Sequence, residues 1–371
     1  MKSFPFEQTN LFQPFRLGRT ARDTLQEFMD IDVSTGDLVR ILNANQAYKD
    51  LFFRFVSKKT AKLDGFKDAS QGDKKTEAPA NANNPKDPGK NQKPSEPTSP
   101  THRLISLLGM LGSRNLIIAL RFYKLIHGKF PINEAGEIDL PVTDHLKMAL
   151  EAEELFHSNK LEYSETAYAA GAYYDLCVQV YEKMAGQNKL EDYYKRVWQR
   201  ALRTGVVAGL LANEIPGVLP RMAIGAGMLS HAGKLHMAAS YSSSNYADFE
   251  EQLDKNQALP PLARMHLEKQ KFGTNQEEVG AYTLRYFDVF QNLIPIIENF
   301  REPYVLRGVD KQAHNLCVVV NLADSMARSW KIPIDEKDPI FSEWSYPAQI
   351  KLKIKKSSMI AVMKKSLTLS K

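Results

Sequence analysis

The chain has 371 residues, of which 43% are hydrophobic and 25% charged, with a formal net charge of +6. This composition is normal for a soluble globular protein. No apolar run approaches the roughly 20 residues that cross a bilayer, and the N-terminal MKSFPFEQTNLF has no signal-peptide pattern. Cys177 and Cys317 lie far apart in apolar surroundings, which predicts buried thiols in a reducing cytoplasm rather than a disulfide framework.

Residues 57–101 differ in composition from the rest of the chain. They contain six prolines and, after Phe66, no large apolar side chain. Such a segment cannot bury enough surface to offset its chain entropy, so we expect a disordered insertion. Because loop-closure entropy grows slowly with length, the insertion can lie inside one domain. Residues 1–56 are then the N-terminal helical part of a domain that resumes at residue 102.

Helical periodicity dominates on both sides of the insertion. Residues 36–56 and 102–126 carry apolar side chains at helical spacing, and Gly109 and Gly112 predict a turn between two helices. Nearly every later segment is also helical in pattern, so the predicted fold is all-α. The predicted limits are 102–332 for the main helical domain, with extra helices at about 143–195.

The C-terminal extension, residues 333–371, is basic. Residues 349–356, QIKLKIKK, alternate apolar residues with lysine, and seven lysines lie between Lys351 and Lys371. Four interpretations are open: a disordered solubilising end, contact with nucleic acid or an acidic partner, an anionic membrane contact through residues 359–363, and strand addition to a partner. The lysines expected to make a weak nucleic-acid or acidic-surface contact are Lys351, Lys353, Lys355 and Lys356.

Seven short motifs, taken in order, resemble the HDOD family of bacterial all-helical signalling domains, which is related to HD-type phosphohydrolases. The clearest of them, AGMLSHAGKL, aligns without a gap with the family pattern AGLLHDIGKL. The seven are ILNANQA (41–47), HRLISLLGMLGSRNL (102–116), VWQRALRTGVVAGLLA (197–212), AGMLSHAGKL (226–235), EKQKFGTNQEEVGAYTLRYF (268–287), IIENFREP (296–303) and VNLADSMA (320–327).

The resemblance also indicates which residues stand at the metal-ligand positions of HD hydrolases. The first histidine corresponds to Arg200, the His-Asp pair to Ser230 and His231, and the final aspartate to Asp324. A permanently protonated guanidinium has no lone pair for a metal, so we expect Arg200 to pair with Asp324. The auxiliary histidines correspond to Gln276, Phe300 and Arg301, of which Arg301 is equally compatible with a solvated surface charge.

The function implied by this resemblance is non-catalytic signal transduction in a bacterial cytoplasm. The chain is then a pseudoenzyme without metal or cofactor, acting by protein–protein interaction or by binding a small anionic signal such as a cyclic dinucleotide. Arg200 is the residue expected to contact an anion. The predicted ligand-binding cleft consists of Arg200, Ser230, His231, Gln276, Arg301 and Asp324.

Two alternatives belong to other functional classes. A divergent HD-type metal phosphohydrolase could use Asp324 with Asp175, whereas a nucleic-acid-binding or membrane-surface-binding regulator would act through the basic extension. Residues 167–177, AYAAGAYYDLC, repeat the small-residue spacing of AGMLSHAGKL and place Tyr174 and Asp175 at the His-Asp position. We interpret this repeat as a coincidence of helix packing.

Overall fold

A computed structural model describes residues 35–44, 46–61, 100–134, 140–185, 190–241, 244–255, 259, 261–287, 289–328 and 353–369. Within these ranges the chain forms helices and turns and contains no β-strand, which confirms the all-α fold class. No helix in this part of the chain is long and apolar enough to span a membrane. The chain divides into an N-terminal unit, Asp32–Lys124 with Lys129–Val142, and a C-terminal unit formed by the rest.

Four helices lie mainly in the N-terminal unit: α1 (Thr35–Ala44), α2 (Gln46–Ala61), α3 (Pro100–Leu108) and α4 (Met110–His127). Helix α1 packs against α2 and α3, burying side chains such as Leu38, Phe52 and Ile105. Between α3 and α4, Gly109 has a φ of +77°, a left-handed conformation that glycine adopts without strain. The predicted turn is therefore made by Gly109 alone, because Gly112 lies inside α4.

The predicted insertion is shorter at both ends than the sequence indicated. Helix α2 extends to Ala61 and α3 begins at Pro100, so residues 57–61 and 100–101 are helical. The prediction of disorder now concerns residues 62–99, which lie outside the described residues. The predicted start of the main helical domain, residue 102, falls within the N-terminal unit.

The C-terminal unit carries the candidate site and is built from twelve described helices. Short 3₁₀ turns at Gln291–Leu293 and Pro303–Leu306 flank the tenth of them. The helices are α5 (Val142–His145), α6 (Lys147–Ser158), α7 (Ser164–Ala185), α8 (Glu191–Asn213), α9 (Pro220–Leu229), α10 (Ala232–Ser240), α11 (Ser244–Lys255), α12 (Pro261–Phe272), α13 (Gln276–Phe287), α14 (Ile294–Asn299), α15 (Lys311–Arg328) and α16 (Lys356–Leu369).

Helix α8 is the central element of this unit, since it packs against α9 and α15 along its length and also contacts α10 and α16. Its sequence explains this position, because apolar and small residues cover most of its circumference after Val197. Trp198, Val207 and Leu211 are almost completely buried. Each such side chain contributes about 1.5–3 kcal/mol to the free energy of unfolding.

The glycines of AGMLSHAGKL permit two close helix contacts. A Cβ atom added to Gly227 would lie 2.9 Å from the Cα of Gly205, where α9 crosses α8. A Cβ atom added to Gly233 would lie 1.9 Å from the carbonyl oxygen of Gln276, where α10 meets α13. These contacts give the small residues of the motif a packing role that does not depend on catalysis.

The C-terminal extension is ordered from residue 353 to 369 and ends in helix α16, which packs against α8. Met359 and Met363 are 0% and 2% exposed, so two interpretations were wrong for this segment: the disordered end and the membrane contact through residues 359–363. Strand addition concerned residues 350–354, of which 350–352 lie outside the described ranges, so it stays a prediction. A contact through exposed Lys353 and Lys355 stays a prediction; Lys351 and the side chain of Lys356 lie outside the described residues.

Candidate functional site

The structure separates the six residues that were predicted to line one cleft. Three of them are in direct contact, two lie in a second cluster, and Ser230 belongs to neither. The Oγ of Ser230 donates to the carbonyl oxygen of Gly227 at 2.7 Å, which closes the last turn of α9. The contacting three are Arg200 on α8, His231 between α9 and α10, and Asp324 on α15; the second cluster contains Gln276 and Arg301.

Arg200 and Asp324 form the expected ion pair. Nε and Nη2 of Arg200 donate to Oδ1 of Asp324 at 3.1 and 2.8 Å. The remaining nitrogen, Nη1, donates to Oδ1 of Asp254 at 3.1 Å. Arg328, one turn beyond Asp324 on α15, donates from Nη2 to Oδ2 of Asp324 at 3.2 Å. Both oxygens of this buried carboxylate are therefore held by guanidinium groups.

His231 completes the immediate surroundings of Asp324. Its Nε2 lies 3.2 Å from Oδ1 of Asp324 and 3.3 Å from Oγ1 of Thr204. The Thr204 hydroxyl already donates to the carbonyl oxygen of Arg200 at 2.9 Å, so Nε2 must carry the imidazole proton to satisfy both oxygens. Burial, with the charges of Arg200 and Lys234, lowers the pKa of His231 to about 4 although Asp324 opposes the shift. The ring is neutral at pH 7, and among the described residues its Nδ1 has no hydrogen-bond partner.

Further charged residues extend this group across α10, α11 and α12. Lys234 donates to Glu250 in a short contact, and both side chains are at most 5% exposed. Nη1 of Arg264 donates to Oδ1 of Asp254 at 2.7 Å, so Asp254 accepts from two guanidinium groups. We call the whole set the Arg200 cluster; it consists of Arg200, His231, Lys234, Glu250, Asp254, Arg264, Asp324 and Arg328.

The second group, the Arg301 cluster, contains Glu268, Gln276, Glu277 and Arg301. Arg301 Nε lies 2.9 Å from Oε1 of Glu277, and Nη1 lies 3.4 Å from Oε1 of Glu268. Oε2 of Glu268 accepts from the backbone N–H of Gln276 at 3.0 Å, at the first turn of α13. Arg301 is 4% exposed, so the alternative of a solvated surface charge was wrong.

The two clusters differ in their balance of charge. The described Arg200 cluster combines three guanidinium groups and one lysine ammonium with three carboxylates. The Arg301 cluster has one guanidinium for two carboxylates. Burial alone would raise the pKa of Asp324, but Arg200 and Arg328 hold it well below its usual value. Burial raises the pKa of Glu268 to about 7, assisted by the charge of Glu277 and opposed by Arg301.

Several members of these clusters were not identified from the sequence. Arg328 stands four residues after Asp324, which is the spacing of an ion pair along one helix, so this partner could have been found. Glu268, Glu277 and Lys234 lie inside motifs that were recognised for other reasons. Asp254 and Arg264 belong to helices without any distinguishing pattern, and only the fold brings them to Arg200.

A cavity of about 300 Å³ opens above the Arg200 cluster, between α8 and α11. The side chain of Arg200 is 13% exposed there and that of Asp254 is 46% exposed, whereas Asp324 and His231 are sealed below them. The cavity therefore reaches Arg200 but not the rest of the predicted cleft. Its lining residues are Tyr193, Arg196, Val197, Arg200, Lys234, Glu250, Glu251 and Asp254.

The residues around Asp324 do not fit a divalent metal. A metal at Asp324 would be repelled by the charge of Arg200. The hydrogen bonds from Arg200 also occupy the lone pairs of Asp324 Oδ1 that a metal would need. In the described ranges no group of three or more His, Cys, Asp or Glu side chains is placed to bind a metal. Asp175, the other carboxylate considered for a hydrolase, accepts from the backbone N–H groups of Met148 and Ala149 at 3.0 and 2.9 Å and so caps helix α6.

One region of the chain matches a known protein family. Residues 175–303 match the HDOD domain family, so this chain carries an HDOD domain over that range. Four of the seven motifs lie inside the match; for residues 41–47, 102–116 and 320–327 the resemblance stays a prediction. No curated protein matches the chain.

Among solved structures, the chain is similar to a Shewanella amazonensis SB2B protein described as a "putative phosphohydrolase". The two are 16% identical, with a TM-score of 0.44, and the alignment covers 68% of this chain and 91% of the other.

Proposed function

We propose that this chain is a non-catalytic signalling scaffold that acts by binding a protein partner in a bacterial cytoplasm. The HDOD domain at residues 175–303 supports a regulatory role. The observation that carries the proposal is the position of Arg200, which donates to Asp324 and Asp254 from three nitrogens in the middle of the domain. Through these contacts Arg200 connects α8 with α15 and α11, so the Arg200 cluster stabilises the helical core.

Electrostatics supports the loss of metal-dependent catalysis. A divalent ion beside Asp324 would have to displace Arg200 and Arg328, both of which contact the carboxylate within 3.2 Å. Arg328 would then lose its contact with Asp324, and Arg200 would keep only Asp254; a buried charge that loses its partner costs several kcal/mol. Arg200 thus supplies the positive charge that a metal would otherwise supply, but it cannot activate a water molecule.

A protein partner is favoured over a small anionic signal. The guanidinium of Arg200 is already engaged by two carboxylates, and the cavity above it carries Glu250, Glu251 and Asp254 on its α11 wall. An entering phosphate would meet these three carboxylates, which offset the charges of the cations in the same lining, Arg196, Arg200 and Lys234. We therefore do not assign Arg200 the anion contact that the sequence led us to expect, and we place recognition on the outer surface of the domain.

The proposal is tested by elemental analysis of the purified full-length chain after incubation with Mn²⁺, Fe²⁺ or Zn²⁺ and removal of excess metal. We expect far less than one equivalent of each metal and no hydrolysis of bis(p-nitrophenyl) phosphate. A functional HD phosphohydrolase treated in parallel shows that the assay detects a bound metal. One equivalent of metal together with hydrolysis, both lost in Asp324→Asn, would overturn the non-catalytic assignment.

A further inference from the structure

An exposed apolar patch lies at the end of the C-terminal unit where helices α9 and α15 begin. It is formed by Tyr304, Val305 and Val309 in the loop after α14, together with Leu219 at the start of α9. These four side chains are 54%, 54%, 82% and 50% exposed. Single exposed apolar residues are common on protein surfaces, but a group of large ones at one place indicates an interaction site.

The two parts of the apolar patch are brought together by helices α9 and α15. Nε2 of Gln312, in the first turn of α15, lies 3.9 Å from Sδ of Met222, in the first turn of α9. Leu219 and Val309 each precede these contacting residues by three positions, so they lie at the same end of the helix pair. Ring nitrogen Nδ1 of His314 lies 2.8 Å from the carbonyl oxygen of Pro303, which fastens the loop to α15.

The loop is held in one conformation by its own backbone. The N–H groups of Val305, Arg307 and Val309 donate to the carbonyl oxygens of Glu302, Tyr304 and Leu306 at 3.2, 3.0 and 3.2 Å. Gly308 has a φ of +86°, a conformation that a side chain would strain. A loop fixed in this way loses little conformational entropy when it binds, which favours recognition of a partner.

The charges around the apolar patch are predominantly positive. Arg221 follows Leu219 by two residues, and Arg307 and Lys311 stand two residues before and after Val309; none of the three forms an ion pair with another described residue. The nearby carboxylates are those of Glu302 and Asp310, and Oδ1 of Asp310 accepts the N–H of Ala313 at 3.0 Å to cap α15. The rim can therefore pair with carboxylates that a partner supplies.

We infer that this apolar patch is the docking site for a protein segment that combines apolar side chains with acidic ones. The apolar residues of the segment pack on Tyr304, Val305 and Val309, and its carboxylates pair with Arg307 and Lys311. An anionic bilayer would attract the three cations of the rim but repel Glu302 and Asp310, whereas a protein segment can place its own charges to match both signs. This inference rests on the proposed scaffold function.

The test selects a random-peptide library on the immobilised full-length chain and measures the binding of the enriched peptides by fluorescence anisotropy. We expect peptides in which Asp or Glu alternates with large apolar residues. Arg307→Glu and Val309→Asp should each weaken binding about tenfold or more, the change typical of a residue that carries binding energy. Val309→Ser, which adds no charge, should weaken it in the same direction. Lys195→Glu is the matched control. Lys195 is exposed near the N-terminal end of α8, whereas Leu219 of the apolar patch follows the C-terminal end of that helix.

Peptides without acidic residues, or peptides that bind all variants equally, would show that the apolar patch is not this docking site. So would the absence of any enriched peptide. Two further arms examine other occupants with the same variants. Sedimentation with phosphatidylserine-containing vesicles that is lost in Val309→Asp would assign the patch to a membrane, and a dimer lost in Val309→Asp would assign it to a second copy. Either result overturns the inference, while the metal content tests the scaffold function separately.

Discussion

The Arg200 cluster and the Arg301 cluster both lie in the C-terminal unit, yet their carboxylates have pKa values shifted in opposite directions. Asp324 has guanidinium groups on both of its oxygens, and they hold its pKa well below the usual value. Glu268 and Glu277 share one guanidinium, and burial raises the pKa of each. The comparison shows that the ratio of cations to carboxylates, rather than burial itself, decides which buried acids stay ionised.

This difference also separates two structural roles. The Arg200 cluster joins α8, α11 and α15 by ion pairs that stay charged throughout the physiological pH range. The Arg301 cluster joins α12, α13 and the residue after α14 through a group that can exchange a proton near neutral pH. The first should behave as a fixed connection, and the second as one whose strength depends on pH.

The largest effect is expected from Asp324→Asn. The substitution leaves Arg200 and Arg328 facing an uncharged amide, and breaking a buried pair in this way costs about 3–5 kcal/mol of unfolding free energy. Urea denaturation followed by circular dichroism measures the loss. Asp254→Asn is the matched control; its side chain is 46% exposed, so solvent screening should keep the loss below about 1 kcal/mol. Equal losses in the two variants would contradict the central position of Asp324.

A second experiment compares Arg301→Met with Arg328→Met at about pH 5.5 and about pH 8. Removing Arg301 leaves two buried carboxylates side by side, so both take up protons more readily when the chain is folded. Their raised pKa values make the folded state lose stability as pH rises. We expect a cost of about 2–4 kcal/mol at the higher pH and a smaller cost at the lower one.

In Arg328→Met the carboxylate of Asp324 keeps its contacts with Arg200, so it stays ionised at both pH values. The cost of this substitution should therefore change by less than about 1 kcal/mol between them. A similar pH dependence in both variants would mean that the two clusters titrate as one group.

The sequence was sufficient for the fold class and for the central ion pair. Helical periodicity is a local property of the sequence, which is why the all-α fold could be predicted. Arg200 and Asp324 were paired because a guanidinium at a metal-ligand position has few other uses, and the pair forms at 2.8 Å. Such inferences work where chemistry restricts a residue to one partner.

Other predictions failed because they needed information from distant parts of the chain. The basic extension resembled a disordered tail, but its helix α16 is buried against α8, a contact that no local pattern encodes. The predicted cleft is divided because Arg301 forms its ion pairs with Glu268 and Glu277 and not with Asp324. Partner choice among several buried charges depends on the tertiary arrangement.

The smallest expected effect comes from Glu268→Gln, which keeps the shape and an acceptor for the N–H of Gln276. In the parent the folded-state pKa of Glu268, about 7, lies above the value of an unfolded glutamate, so the folded state binds more protons between these values. Its ionisation therefore lowers the unfolding free energy of the parent as pH rises toward 7. Glutamine does not ionise, so the variant lacks this loss. Relative to the parent, Glu268→Gln should gain about 1–3 kcal/mol between about pH 5 and about pH 8. Unfolding free energies at several pH values measure this difference, and a constant difference would show that Arg301 keeps Glu268 ionised as firmly as Arg200 keeps Asp324.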